Sequence, residues 1–258
     1  MIAGGAVGKL AAQIKTGSTV FAAWCGLPEP LIGELLVREG FVSAVFDMQH
    51  GAFDISGAMR GIGGVALAGK PAIVRIPVGD FALASRLYDS GAAAVIAPMI
   101  NSVADACAFA AFAKFPPMGE RSWGPHRAIA LTGMTHPDYL AQANGFQLAI
   151  AMIETRAALA ALDDILAVPG IDGVLVGPSD LSIALSGGAA VNPDSAEVDA
   201  ALTHVVARAR AHGKFAALFT FSGAKAKAMA ARGFALCSIA TDQLLLRQAA
   251  KAELAAAR

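Results

Sequence analysis

The stretch LAIAMIETRAALAALDDILAVPGIDGVLVGPSDLS, residues 148–182, reads as strand, helix, strand and the opening of a second helix. Leu148 to Ile153 and Gly173 to Val176 are uncharged apolar runs, and between them Ala157 to Leu166 repeats apolar residues at i, i+3 and i+4. Two such strands joined by one helix-sized crossover make a βα unit of a parallel sheet. Each run is followed by an acid: Glu154 comes directly after the first, and Asp180 follows the second after Gly177, Pro178 and Ser179. Parallel β/α folds bind ligands beyond the carboxyl ends of their strands, which puts both acids on the rim where chemistry is done. A carboxylate pair that leaves positions open for water and substrate suits a hard divalent cation such as magnesium or manganese.

Outward from this unit, apolar run, turn signal and helical periodicity alternate along the chain. The predicted strands are Thr19 to Ala23, Ala44 to Asp47, Ala72 to Ile76, Ala93 to Ala97, Leu148 to Ile153, Gly173 to Val176, Phe215 to Leu218 and Ala235 to Ile239. Pro30 to Glu39, Ser102 to Ala113, Ala157 to Leu166 and Glu197 to Ala211 have the spacing of helices with one buried face. Eight parallel strands with helical crossovers close most simply into an α/β (β/α)8 TIM barrel; an open doubly wound sheet has similar local patterns and ranks behind it. At 258 residues the chain has the length of one barrel, roughly 250 residues, and with no composition shift 1–258 is read as a single domain. Pro116 to Gly145, the longest interruption, is full of Gly, Pro, His and Arg and is expected to be a functional loop or lid. After the last strand, TDQLLLRQAAKAELAAAR (241–258) is a strong helix former with an apolar cluster at Leu244 to Leu246. It docks either on another subunit or on its own barrel.

Basic and acidic residues balance at 20 each, and charged residues are only 16% of the chain. No basic face offers itself to nucleic acid or anionic lipid. Hydrophobic residues reach 56%, yet Gly, Pro or charge interrupts them every few positions, well short of the ~20 apolar residues of a membrane span. Met1 to Val7 is apolar, but Lys9 and Lys15 follow it and no small-residue cleavage pattern ends it, so it does not read as a secretion signal. The expected compartment is the cytoplasm. Cys25, Cys107 and Cys237 are odd in number and far apart, and are expected to be buried small apolar residues.

The reactive residues at predicted strand ends form one set. Strand two, SAVFDMQHG, delivers Asp47 and His50; strand three, PAIVRIP, carries Arg75; strands five and six deliver Glu154 and Asp180. Each alone has a plain structural explanation, such as a helix N-cap for Asp180 or a first-turn acid for Glu154. Together they converge in space if the barrel is right. His126, His136, His204 and His212 fall in loops or helices and read as surface or loop-packing residues.

Gly177, Pro178 and Ser179 open a helix whose unpaired N–H groups face the rim, a seat for a substrate carboxylate. Beside a cation, that seat suits a 2-oxo acid, whose keto oxygen the metal polarises. Arg75 is then the group to neutralise enolate charge, and His50 the base, since imidazole exchanges protons near neutral pH. Asp89, in RLYDSGA before strand four, is a candidate orienter for that imidazole. A Schiff-base lysine is not well placed: Lys70 and Lys214 precede strands three and seven, toward the opposite face, and Lys9 and Lys15 precede strand one.

With these residues in place the chain resembles the HpcH/HpaI aldolase family, metal-dependent class II pyruvate aldolases related to citrate lyase β subunits. The likeness rests on FDMQHG (46–51), VRIP (74–77), DSGAAAVIAPM (89–99), FPPMGERS (115–122), IET (153–155) and PGIDGVLVGPSDLS (169–182). The resemblance implies Glu154 and Asp180 as ligands of a magnesium, manganese or cobalt ion, and His50 as the base paired with Asp89. It implies Arg75 as the residue that steadies the enolate and Asp47 as an organiser of the site. Gly177, Pro178 and Ser179 would border the pyruvate carboxylate pocket, although Pro178 has no N–H to donate, and Trp24 would stand beside the substrate. It further implies a homo-oligomer, a hexamer built as a trimer of dimers with exchanged C-terminal helices.

Two positions depart from the family pattern: Gln49 stands where relatives usually have Glu, and Met152 where they usually have Gln. The first removes a negative charge near His50, and the second removes a polar partner from the metal's surroundings. The expected reaction is reversible cleavage of a 4-hydroxy-2-oxo acid to pyruvate, or a relative such as hydroxypyruvate, plus an aldehyde. Phe219, Phe221 and the segment from Pro116 to Gly145 are expected contributors to the aldehyde pocket. The rivals are a citrate-lyase-like acyl-CoA lyase and a non-catalytic barrel that binds an oxo acid.

Overall fold

Eight strands form and close in chain order into one parallel barrel, with β1 pairing to both β2 and β8. They are β1 (Val20–Cys25), β2 (Ser43–Asp47), β3 (Ala72–Arg75), β4 (Ala94–Ala97), β5 (Leu148–Ile153), β6 (Gly173–Val176), β7 (Phe215–Thr220) and β8 (Leu236–Ile239). The structure, a computed structural model, describes residues 4–258, so the first three residues of the apolar start Met1 to Val7 lie outside the described ones. Helix α1 (Gly5–Lys15) precedes the barrel. Around it run α2 (Pro30–Arg38), α3 (Ile55–Leu67), α4 (Ala82–Asp89), α5 (Val103–Ala113), α6 (His126–Thr132), α7 (His136–Phe146), α8 (Arg156–Ala160), α9 (Leu162–Ala167), α10 (Pro178–Leu185), α11 (Ala196–Ala211) and α12 (Gly223–Ala231); α13 (Asp242–Ala256) follows β8.

Strand alternation builds two cores. Val20, Ala22, Val45, Ile73, Ile96, Ile150, Leu175 and Ala217 pack inside the barrel, while Ala44, Phe46, Val74, Val95, Ala151 and Val176 pack outward under the helices. Inward parity continues to the strand ends. Two residues beyond Val45 and Ile73 it reaches Asp47 and Arg75, which are register partners; beyond Ile150 it reaches Met152 and then Glu154. Outside, Gly33 of α2 and Gly61 of α3 leave room for the Phe46 ring, which a Cβ at either would meet at 2.6 and 2.4 Å. Side-chain N-caps start the helices where the sequence supplies them: Asp54 for α3, Ser102 for α5, Thr135 for α7, Ser195 for α11 and Thr241 for α13.

The segment from Pro116 to Gly145 corrects the sequence reading. It is no lid: after a turn-rich stretch it holds α6 and α7, which pack with α1 against the strand entries, at the end opposite the predicted site, so it does not contribute to a pocket at the rim. Buried polar groups rivet it there. Lys114 is fully buried; its ammonium donates to the carbonyls of Asn144 and Gln147 and pairs with Asp172 at 2.7 Å. Burial pulls the Lys114 pKa down while Asp172 pushes back. The guanidinium of Arg121 donates to Gln147 and Asp89 and lies over the rings of Phe115 and Tyr88.

Two further expectations change. Cys25 and Cys237 are buried, and burial pushes the Cys237 thiol up to about 12, but Cys107 is exposed. Of the two readings of the C-terminal helix, packing on its own barrel does not occur: past its root α13 is almost wholly exposed, with Leu246 at 62% and Leu254 at 53%.

Candidate active site

At the carboxyl ends of the strands a cavity of about 280 Å³ opens. That is just under the roughly 300–1,000 Å³ of drug-sized sites and suits two small molecules better than one large one. Trp24, Asp47, His50, Arg75, Met152, Gly177, Pro178, Ser179 and Asp180 line it, so the barrel brings together nearly every residue expected at the rim. Phe219 and Phe221 line it too, as expected.

Asp47 is the hub. Its Oδ1 accepts from Arg75 Nε at 2.9 Å and from the backbone N–H groups of Gln49 and His50 at 3.0 and 3.3 Å. Its Oδ2 accepts from Arg75 Nη2 at 2.6 Å and from Trp24 Nε1 at 3.2 Å. Burial alone pushes this carboxyl upward, but the bonds and charge of Arg75, with help from Gln49 and Trp24, hold it below the usual Asp range. Arg75 is therefore held edge-on, its guanidinium 4.9 Å from the centre of the Trp24 ring. Only Nη1 is left uncommitted to Asp47, and its partner in the chain is the Met152 thioether at 4.0 Å, a weak acceptor.

Glu154 sits behind this layer, 2% exposed, with Oε1 accepting from the Met99 backbone N–H at 2.8 Å. Met99 reaches that position with φ 55°, uncommon for a residue with a side chain. Burial raises the Glu154 pKa; the Met99 bond lowers it, the Asp180 charge raises it and Arg75 lowers it. Asp180 lies in the first turn of α10, exposed to the cavity. A half-buried pair of repelling carboxylates is the donor chemistry that a hard divalent cation relieves. Space fits as well: a Cβ on Gly177 would stand 2.7 Å from Glu154 Oε2, so glycine is what leaves that oxygen room. Among the described residues no three His, Cys, Asp or Glu side chains come together so as to hold a metal ion between them, so the carboxylate pair would leave the other positions to water and substrate.

The helix start at α10 also forms as expected, with Gly177 as N-cap and no side-chain cap, so first-turn N–H groups of Ser179 and Asp180 have no acceptor within the helix. His50 is exposed at the cavity wall. A ladder of edge-to-face rings, Trp24 to Phe219 at 5.1 Å and Phe219 to Phe221 at 5.0 Å, forms an apolar wall of the cavity.

Asp89 is the one expected member that the chain does not bring here. It ends α4, just ahead of β4, and so belongs to the strand-entry face, where it pairs with Arg121 at 2.7 Å. Like Lys70 and Lys214, Asp89 precedes its strand and so lies toward the face opposite the rim. Sequence reasoning also missed Met99, Gly26, Gly51, Thr241 and Gln243, although the last four follow β1, β2 and β8 and were open to the same strand-end rule.

The profile of the HpcH/HpaI aldolase/citrate lyase family matches residues 21–249. The chain is 40% identical over 242 residues to the hydroxypyruvate/pyruvate aldolase of Rhizorhabdus wittichii, covering 94% of this chain and 95% of that protein. It is 33% identical to the 4-hydroxy-2-oxo-heptane-1,7-dioate aldolase of Salmonella dublin, covering 93% and 90%. Among solved structures it superposes on an HpcH/HpaI aldolase from Desulfitobacterium hafniense with a TM-score of 0.87, 26% identity and 95% of each chain covered.

Proposed function

Because the chain belongs to the HpcH/HpaI aldolase/citrate lyase family, we propose that it is a divalent-metal-dependent aldolase that interconverts a 4-hydroxy-2-oxo acid with pyruvate or hydroxypyruvate and an aldehyde. The observation that carries this reading is the pairing of buried Glu154 and cavity-facing Asp180 beside a cavity-lining Arg75 whose Nη1 is not bound to Asp47. Magnesium or manganese held by the two carboxylates would polarise the keto oxygen and acidify the C3 hydrogen.

The chain's own groups do the rest. The first-turn N–H groups at Ser179 and Asp180 receive the substrate carboxylate. Arg75, fixed by Asp47, offers Nη1 to negative charge building on the C2 oxygen. In the cleavage direction His50 takes the proton of the C4 hydroxyl, the C3–C4 bond breaks, and its electron pair moves into the C2–C3 bond of an enolate as the aldehyde leaves. A proton delivered to C3 then gives the 2-oxo acid. Trp24 and Phe219 wall the site and exclude water from it.

The exposed leucines of α13 support a homo-oligomer in which this helix lies on a second copy, and hexamers fit that reading. Among the described residues no helix is long and apolar enough to cross a membrane, which is compatible with a cytoplasmic enzyme. The reading is tested by incubating the protein with manganese and pyruvate or hydroxypyruvate in deuterated water. Exchange at C3 is expected, and its absence with both donors overturns the proposal. Glu154→Ala and Asp180→Ala should lose metal binding and turnover together, whereas His50→Ala keeps the metal and loses rate.

A further inference from the structure

Both neighbours of Asp242, Thr241 and Gln243, line the cavity, while the Asp242 side chain is buried at 3% exposure. The helix that starts here does not need it as a cap, because Thr241 already accepts from the Leu244 N–H. Asp242 spends its carboxylate mainly on another segment. Oδ1 accepts from the Gly26 N–H at 3.0 Å and Oδ2 from the Leu27 N–H at 3.0 Å, with the Gln243 N–H also on Oδ1 at 2.8 Å. Gly26 and Leu27 are the loop that leaves β1 two residues after Trp24.

From that loop the contact continues to His50. The Gly26 carbonyl accepts from the Ala52 N–H at 2.9 Å. A Cβ on Gly51 would stand 3.0 Å from Gly26 Cα and 2.3 Å from the Asp47 carbonyl, so the exits of β1 and β2 touch backbone to backbone with no side chain between them. His50 lies between Asp47 and Gly51, its N–H on Asp47 Oδ1. At the other end, Ala240 has φ 55°, a conformation alanine rarely adopts, and turns the chain from β8 into Thr241 and Asp242. The result is one continuous path of hydrogen bonds and close contact from the root of α13 to the backbone on either side of His50.

We propose that Asp242 is a positioning residue of the active site: by fixing Gly26 and Leu27 to the root of α13, it holds Trp24 and the His50 loop in their working arrangement. The inference rests on the aldolase reading only for its kinetic test. Asp242→Asn keeps the size and shape of the side chain but replaces one of its two accepting oxygens by an NH2 group that faces a backbone N–H donor, so it breaks one side of the clamp without opening a void. For this variant kcat should fall about tenfold with the KM for the oxo acid within about twofold. Its manganese affinity should stay at the wild-type value, since Glu154 follows β5 and Asp180 lies in α10, outside the path.

A second readout does not depend on activity. The chain has two tryptophans, so in a Trp123→Phe background the fluorescence is that of Trp24 alone. The Trp24 emission should move in Asp242→Asn and move further in Asp242→Ala. Variants that lose only melting temperature, with Trp24 emission and kcat per folded molecule unchanged, overturn the proposal. If the wild type itself proves inactive, the aldolase reading fails while the Trp24 emission still decides the role of Asp242.

Discussion

Adding one methyl group at Gly177 tests the carboxylate pair more finely than deleting a ligand. The Gly177 backbone, φ −91° and ψ 93°, accepts alanine without strain, so the effect of Gly177→Ala is a matter of space. The new Cβ would stand 2.7 Å from Glu154 Oε2 and 2.7 Å from Met152 Cε, well inside the 3.4 Å at which ordinary contact begins. The methionine tip is flexible and can swing aside. Glu154 is less free, since Met99 holds its other oxygen, and the carboxylate must shift where a cation would meet it. Overpacking of this kind costs about 1–3 kcal/mol, which, borne by the ligand, weakens manganese binding by roughly fivefold to 150-fold. Gly26→Ala is the control: it lies on the same cavity, but its nearest neighbours would be 3.8 Å away. Titration calorimetry with manganese on the wild type and both variants measures the difference. A Gly177→Ala protein that binds within twofold of wild type, or a Gly26→Ala protein that loses as much, refutes the reasoning.

Other outcomes follow from the same geometry. Asp47→Asn leaves Arg75, 7% exposed, with its charge unpaired; about 3 kcal/mol of lost stability, or roughly 6–12 °C in Tm, is expected by calorimetry. Because the folded Asp47 carboxyl lies below its ordinary 3.8, its contribution is complete above that pH and is lost as pH falls further. The stability of Asp47→Asn should accordingly drop less steeply than wild type below about pH 4, and equal slopes would deny Asp47 that role. Replacing Leu246 and Leu254 together by Glu should leave the melting of the isolated barrel within about 0.5 kcal/mol and shift the light-scattering mass toward the monomer. An unchanged mass would mean that another face holds the copies together.

The barrel was legible because its signals are local. The β5 and β6 runs carry no competing pattern, and their bounds emerge to the residue. Inward parity then carries Asp47, Arg75 and Glu154 to the rim. What stayed hidden is not local. The segment 116–145 contains Gly, Pro, His and Arg in the proportions of a loop, yet Pro125 precedes α6, Thr135 caps α7, and both helices find their apolar partners in α1. Its location follows from direction: α5 runs back from the rim, so whatever follows it begins at the strand entries. Met99 was invisible for another reason, since its contribution is a backbone N–H that any residue but proline possesses. Whether α13 covers its own barrel depends on the path it takes after Ala240, and no side-chain pattern records that path.

The strand-entry end of the barrel is stoppered by α1, α6 and α7, and the layers above the stopper, from Val20 and Ile73 to Leu175 and Leu236, are completely buried. Traffic therefore has a single doorway. Both molecules released in cleavage leave by that one mouth, so a crowd of either product outside, competing for the same cavity, delays the next turnover.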